Sequence, residues 1–189
     1  MITAIDPKTA LVLIDLQKNI AQGNTVHPVA DVLEKAARLM AAFRKAGLPV
    51  VIVNVDPAGA AWMKARNDAQ KSQPAPPPPI AGATDIVPEI KTQPEDIFIT
   101  KRTWNAFFET ALHEQLQQRG VTQIVLGGIS TSIGVEGTAR SASELGYNIA
   151  FATDAMTDRV EEAHNNSVKN IFPRLGERGT VDEVIAKLP

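Results

Sequence analysis

The sequence predicts an α/β chain folded as a three-layer α/β/α sandwich on a mostly parallel, six-stranded sheet. Short apolar, β-branched runs alternate with longer amphipathic stretches along the chain, the pattern of strands and helices taking turns in a parallel sheet. The runs are nearly continuously apolar, as strands covered on both faces must be.

Each element follows from its residues. Strands are expected at 10–15 (ALVLID), 49–55 (PVVIVNV), 96–100 (DIFIT), 123–127 (QIVLG) and 148–153 (NIAFAT), with a weaker one near Arg178. Between the first two, Val29, Val32, Leu33, Ala36, Leu39, Met40 and Phe43 recur at spacings of three and four up to Gly47, an apolar stripe that predicts a helix over 29–45. Similar patterns predict helices over 106–119, 134–145 and 161–172, each stopped by a glycine or proline. Together these elements describe a Rossmann-like sheet. From Asp56 to Pro94 the rhythm breaks, and SQPAPPPPIAG places five prolines around 73–79. Proline removes amide donors and favours extended backbone, so this stretch is expected to be a rigid surface excursion, with a docking motif for an aromatic groove as the other reading.

A length of 189 residues at 44% hydrophobic content suits one domain spanning 1–189 and is short for two. The 19 basic and 21 acidic residues leave a net charge of -2, no surplus to neutralise phosphates, so nucleic acid is not an expected partner and a small molecule is. With no cysteine, the chain has no disulfide, thiolate metal site or thiol nucleophile, which fits a reducing compartment. The N-terminal residues lack the basic start and long apolar run of a secretory signal, and no stretch approaches the roughly 20 apolar residues of a membrane span. The expected location is the cytoplasm.

In open parallel sheets the ligand crevice lies beyond the carboxyl ends of the strands. The first strand ends in Asp15-Leu16-Gln17. A carboxylate on apolar walls has a raised pKa and can carry a proton, although it could equally cap a neighbouring helix. The third ends in Lys101, followed by Arg102-Thr103-Trp104-Asn105-Ala106-Phe107. That lysine could pair with Asp15 or remain a solvated charge. The fourth runs through Gly127-Gly128-Ile129-Ser130-Thr131-Ser132-Ile133-Gly134 into a helix. Such a turn aims backbone N–H groups at the crevice as an anion site, or serves only close strand-to-helix packing. Its spacing matches neither common glycine-rich nucleotide motif.

Taken together, LVLIDLQ, ITKRTWNAF and GGISTSIGVEGTARSASELGY, followed by ATDAMTD and IFPRLG, resemble the isochorismatase-like (cysteine hydrolase) superfamily in order and spacing across nearly the whole chain. The resemblance implies a hydrolase in which Asp15 is the general acid or base and Lys101 its partner. In the third motif, Gly134 of Ile133-Gly134-Val135 stands where most members carry the nucleophilic cysteine. It also implies a cis peptide at Ile129–Ser130 and a homo-oligomer. Nicotinamidase-like members bind zinc or iron through an aspartate and histidines after the second strand. Here Asp56 follows that strand, but no histidine lies between His27 and His113, so no metal and no cofactor is expected. His164 matches a helical histidine common in the family and is read as structural.

Without a thiol the thioester route of amide-hydrolysing members is closed. Isochorismatases of the superfamily also carry glycine at this position and cleave a vinyl ether, whose demanding step is protonation of the double bond. The expected catalytic set is Asp15, Lys101 and Gly134, with Gln17, Trp104, Phe107, Ser130 and Thr131 holding a small anionic substrate. The alternative is a catalytically inactive member that binds a small metabolite.

Overall fold

The computed structural model describes residues 1–56, 58 and 81–189. The proline-rich stretch around 73–79 lies outside them. Six strands form one sheet: β1 (Thr9–Ile14), β2 (Val50–Val55), β3 (Ile97–Lys101), β4 (Gln123–Ile129), β5 (Asn148–Thr157) and β6 (Glu177–Gly179). Their order is β3-β2-β1-β4-β5-β6, and every pairing is parallel. This is the order of doubly wound dinucleotide-binding sheets, whose ligand crevice opens where the winding reverses, here between β1 and β4.

Alternation along the strands builds two cores. Leu11, Leu13, Val50, Ile52 and Val125 face α2 (Val29–Lys45) and α6 (Val181–Ile185). Ala10, Val12, Ile14, Val51, Val53, Ile124 and Leu126 face α3 (Leu112–Gln118) and α4 (Glu136–Glu144). Central strands β1 and β4 are buried throughout. Strand β3 alternates buried and exposed residues because it is an edge.

Helix α2 has the bounds its apolar stripe predicts. The other helices depart from expectation for local reasons. The stretch before α3 is turn rather than helix, because side chains capture its backbone amides: Asn105 Oδ1 accepts from Phe107 N–H at 2.8 Å, and Thr138 Oγ1 accepts from Ala106 N–H at 3.1 Å. The helix expected over 134–145 begins earlier, as a π-helical turn over Thr131–Val135 that leads into α4. The one expected over 161–172 is α5 (Glu161–Asn166) followed by π-helical Ser167–Ile171 and 3₁₀-helical Phe172–Arg174. Strand β5 runs four residues past its expected end at Thr153, and its register with β4 shifts between Leu126 and Gly128. Two short helices had not been expected: α1 (Lys18–Ala21) and α6, the latter opened by a Thr180/Glu183 capping box.

Gly128 fixes how closely β4 approaches β1. Its φ is +123°, and a Cβ there would lie 2.2 Å from the Ile14 carbonyl oxygen. Gly128→Ala should therefore cost about 3 kcal/mol or more of folding stability, since neither backbone can yield without breaking the ladder. Urea unfolding of the variant checks this; a loss below about 1 kcal/mol would mean that the two strands adjust freely.

Candidate active site

Three strand ends converge at the point where the winding reverses. Asp15 follows β1 and takes φ +53°, a left-handed backbone unusual outside glycine. It is held there by its N–H to Val53 O (2.9 Å) and by Gln17 N–H to its own carbonyl (2.8 Å). Lys101 ends β3, two strands away, with its side chain only 1% exposed. Its Nζ lies 2.8 Å from Asp15 Oδ2 and donates to the Trp104 carbonyl at 2.8 Å. Asp15 Oδ1 is buried and has no hydrogen-bond partner among the described residues.

These surroundings make the carboxyl proton-active near neutrality. Burial pushes Asp15 from 3.8 up to about 6, outweighing the positive charge and hydrogen bond of Lys101, which act in the opposite direction. Lys101 therefore limits the rise and orients the group.

The third strand end supplies the opposite wall. After β4 comes a cis Ile129–Ser130 peptide, then the π-helical turn that carries Gly134. An added Cβ at Gly134 would meet Ile14 Cγ2 at 2.7 Å, Lys101 Nζ at 3.1 Å and Asp15 Oδ2 at 3.2 Å. Any side chain at 134 would thus press on the ion pair, and glycine leaves that space to a ligand. The buried Asp158 carboxylate braces the turn, accepting from Ser132 N–H at 2.7 Å and from Arg159 N–H at 2.8 Å. Thr131 Oγ1 bonds His164 Nδ1 at 2.9 Å, and the His164 ring meets that of His27 edge-on at 4.8 Å. Burial holds His164 below its ordinary pKa, as does the neighbouring His27.

A cavity of about 220 Å³ joins these parts, lined by Asp15, Lys101, Gly134, Ser130 and Trp104 with Ile20, Val55, Thr103, Ile129, Ile133 and Arg159. Three residues expected at the substrate do not line this cavity. Gln17 is fully buried and bridges β1 to β2, taking Val55 N–H at 2.7 Å and donating to Val55 O at 3.0 Å. Thr131 is buried against His164. Phe107 packs on Tyr147 at a ring separation of 5.8 Å, because the capture of its N–H by Asn105 turns the segment there. Asp56 accepts from Ala58 N–H at 3.0 Å, and among the described residues no three His, Cys, Asp or Glu side chains group to hold a metal.

Arg159 is the lining residue that strand reading passed over. Its guanidinium lies over Gly23, where a Cβ would come within 2.9 Å of Nη2, and it makes no ion pair among the described residues. The signal was present in the sequence: the motif ATDAMTD ends immediately before Arg159, which stands just beyond a strand's carboxyl end.

Sheet order, cavity and ion pair define a doubly wound α/β protein with a proton-active carboxyl beside a lysine where the winding reverses. The chain belongs to the isochorismatase family of hydrolases: a family model described as the Isochorismatase domain matches residues 9–183. It is 41% identical over 189 residues to the isochorismatase family protein YecD of Escherichia coli O157:H7, covering 95% of this chain and 96% of that one. A solved isochorismatase family protein from Burkholderia thailandensis superposes with a TM-score of 0.89 at 40% identity, covering 98% of this chain and 97% of that one. The ureidoacrylate amidohydrolase RutB of Variovorax paradoxus is 29% identical over 94% of this chain and 80% of its own length. Among the described residues no helix is long and apolar enough to cross a membrane.

Lys101→Met should raise the Asp15 pKa above about 6, because it removes the group that lowers it. The carboxyl is then neutral in the folded protein at lower pH and an unpaired buried anion at higher pH, so stability should fall as pH rises through the new pKa. Carbon-13 NMR titration of the aspartates, assigned with Asp15→Asn, reads the shift; a value still near 6 would remove Lys101 from the account of Asp15.

Proposed function

We propose that this protein hydrolyses a small anionic organic molecule by proton transfer from Asp15, without a thiol nucleophile, and that enol ethers of the isochorismate kind are its substrate class. The observation that carries the reading is a buried carboxyl pushed up to about 6, aimed into a cavity whose opposite wall is the side-chain-free Gly134.

In such a reaction neutral Asp15 gives its proton to the terminal carbon of the enol double bond, leaving an oxocarbenium centre on the carbon that bears the ether oxygen. Water adds there and returns a proton to the carboxylate. The hemiketal then collapses, its carbon–oxygen bond breaking to release an alcohol and a 2-keto acid. Lys101 holds Asp15 through Oδ2, leaving Oδ1 for the transferred proton. Arg159, at the cavity wall, supplies the cation that a carboxylate substrate needs.

Amide hydrolysis, named for the relative RutB, fits the residues less well. The chain has no cysteine, and among the described residues the Ser130 and Ser132 hydroxyls have no histidine or carboxylate as hydrogen-bond partner. A serine nucleophile would lack its base.

Wild-type protein given isochorismate should release pyruvate, and Asp15→Asn should lower kcat by about 10²-fold or more. Because the working form is protonated, kcat should be highest at low pH and fall as pH rises through about 6. A profile that rises through that value would make Asp15 a base instead. Binding without pyruvate release would establish a metabolite-binding protein and end the hydrolytic reading for this substrate class.

A further inference from the structure

We propose that His164 is a positioning residue of the active site: its neutral ring latches, through Thr131, the π-helical turn that carries Gly134 to Asp15 and Lys101, and a proton taken up there releases the turn. The latch shapes the cavity wall whatever ligand lies against Gly134, hydrolysed or only bound, and so stands apart from the hydrolytic reading.

The turn is anchored in the core by Ile129 before it and by Val135 at its end, and polar contacts hold it between them. Asp158 accepts from Ser132 N–H at 2.7 Å, and Thr131 Oγ1 meets His164 Nδ1 at 2.9 Å. Thr131 is fully buried, and among the described residues its hydroxyl has no other hydrogen-bond partner. The turn's own backbone adds little rigidity: Ile133 and Val135 N–H both reach the Ser130 carbonyl at 3.2 Å, the long end of the range. Gly134 follows in the same turn and lines the cavity, so a shift of Thr131 is passed to the cavity wall.

Beside this bond stands a second of the same kind. Thr157 Oγ1 accepts from His27 N–H at 3.0 Å, which leaves its own proton for His27 Nδ1 at 3.2 Å. The Thr131 hydroxyl is placed to donate to His164 Nδ1 in the same way. A neutral imidazole accepts such a bond, whereas a protonated ring carries hydrogen on both nitrogens and cannot. The two rings meet edge-on at 4.8 Å, with His27 exposed and His164 only 7% exposed. From the end of β5, Asp158 favours a charged His164, but its oxygens already hold the N–H groups of Ser132, Arg159 and Val160. The Arg159 guanidinium lies over Gly23. From α4, Glu136 is engaged by Ser167 and Arg140, and on α5 itself Glu161 and Glu162 are exposed. Burial and His27 outweigh Asp158 and hold His164 below its ordinary 6.5. The latch therefore contributes stability that is fully present above 6.5 and is lost as pH falls below it.

Proton–nitrogen NMR of Asp15→Asn protein without substrate tests the latch. Asp15 then no longer titrates beside Gly134, and no turnover is needed, so failure of the hydrolytic reading leaves the result untouched. As pH is lowered, His164 should titrate with a midpoint below 6.5 and the Gly134 amide signal should follow the same curve. Exchange protection of Ser132 N–H, corrected for its intrinsic pH dependence, should fall about tenfold or more over that range. Thr131→Val, which keeps the shape and removes the hydroxyl, should lose the protection at every pH and uncouple Gly134 from His164. His27→Gln, at an exposed position, should move the coupled transition to higher pH, because it removes the repelling ring. Gly134 and Ser132 signals that stay constant while His164 titrates overturn the proposal, as does a ring that stays neutral down to about pH 5. So does a Thr131→Val variant that keeps the coupling. Should that variant not fold, the His27→Gln titration decides, and an unmoved transition overturns the latch.

Discussion

The buried contact between Lys101 and Asp15 constrains more of this molecule than any other interaction. Two opposite charges are removed from water almost completely, and each would cost several kcal/mol alone. Their attraction offsets part of that, and the Trp104 carbonyl satisfies a second ammonium proton. The remaining imbalance falls on Asp15, whose negative form is disfavoured enough to bring its titration close to neutrality. Such a pair persists only if the framework holds both partners in place. Here the framework is the central sheet, in which β2 separates the strand that ends in Asp15 from the strand that ends in Lys101.

The π-helical turn is the second constraint, and it depends on the first. Gly134 comes so close to the carboxyl that a single added carbon would already press on Ile14 and the ion pair. The turn is held at that distance by backbone amides bound to Asp158 and by the hydroxyl of Thr131 on His164. Asp158 thereby couples the end of β5 to the end of β4, and the same carboxylate sets the backbone of Arg159 at the cavity wall. A widened turn in a helix commonly accompanies a functional site, and here it brings Gly134 against the ion pair.

Much of the framework is legible in the residues. The apolar runs located five of the strands, because a strand covered on both faces has nowhere to place polar side chains, a weaker sixth expected near Arg178 is β6, and the stripe on α2 matched its helix end to end. The capping box Thr180-x-x-Glu183 was equally readable as the start of α6 and had been passed over. Legibility failed where side chains compete with the backbone. Asn105 and Thr138 take the amides that would have begun a helix near Ala106, and the apolar periodicity of that stretch carries no trace of this competition. The same turn set Phe107 on Tyr147.

The sequence by itself determined the class of fold, the three strand ends on which chemistry could stand and the absence of a thiol, because these follow from local pattern and residue identity. Only the tertiary structure decided which of those residues meet. Lys101 reaches Asp15, whereas Gln17, adjacent in sequence to the acid, is spent on bridging two strands. Arg159, 144 positions along the chain from Asp15 by their numbers, lines the same cavity. The physical reason is that burial, and with it the proton affinity of Asp15, belongs to the packed sheet and its crevice rather than to any stretch of chain.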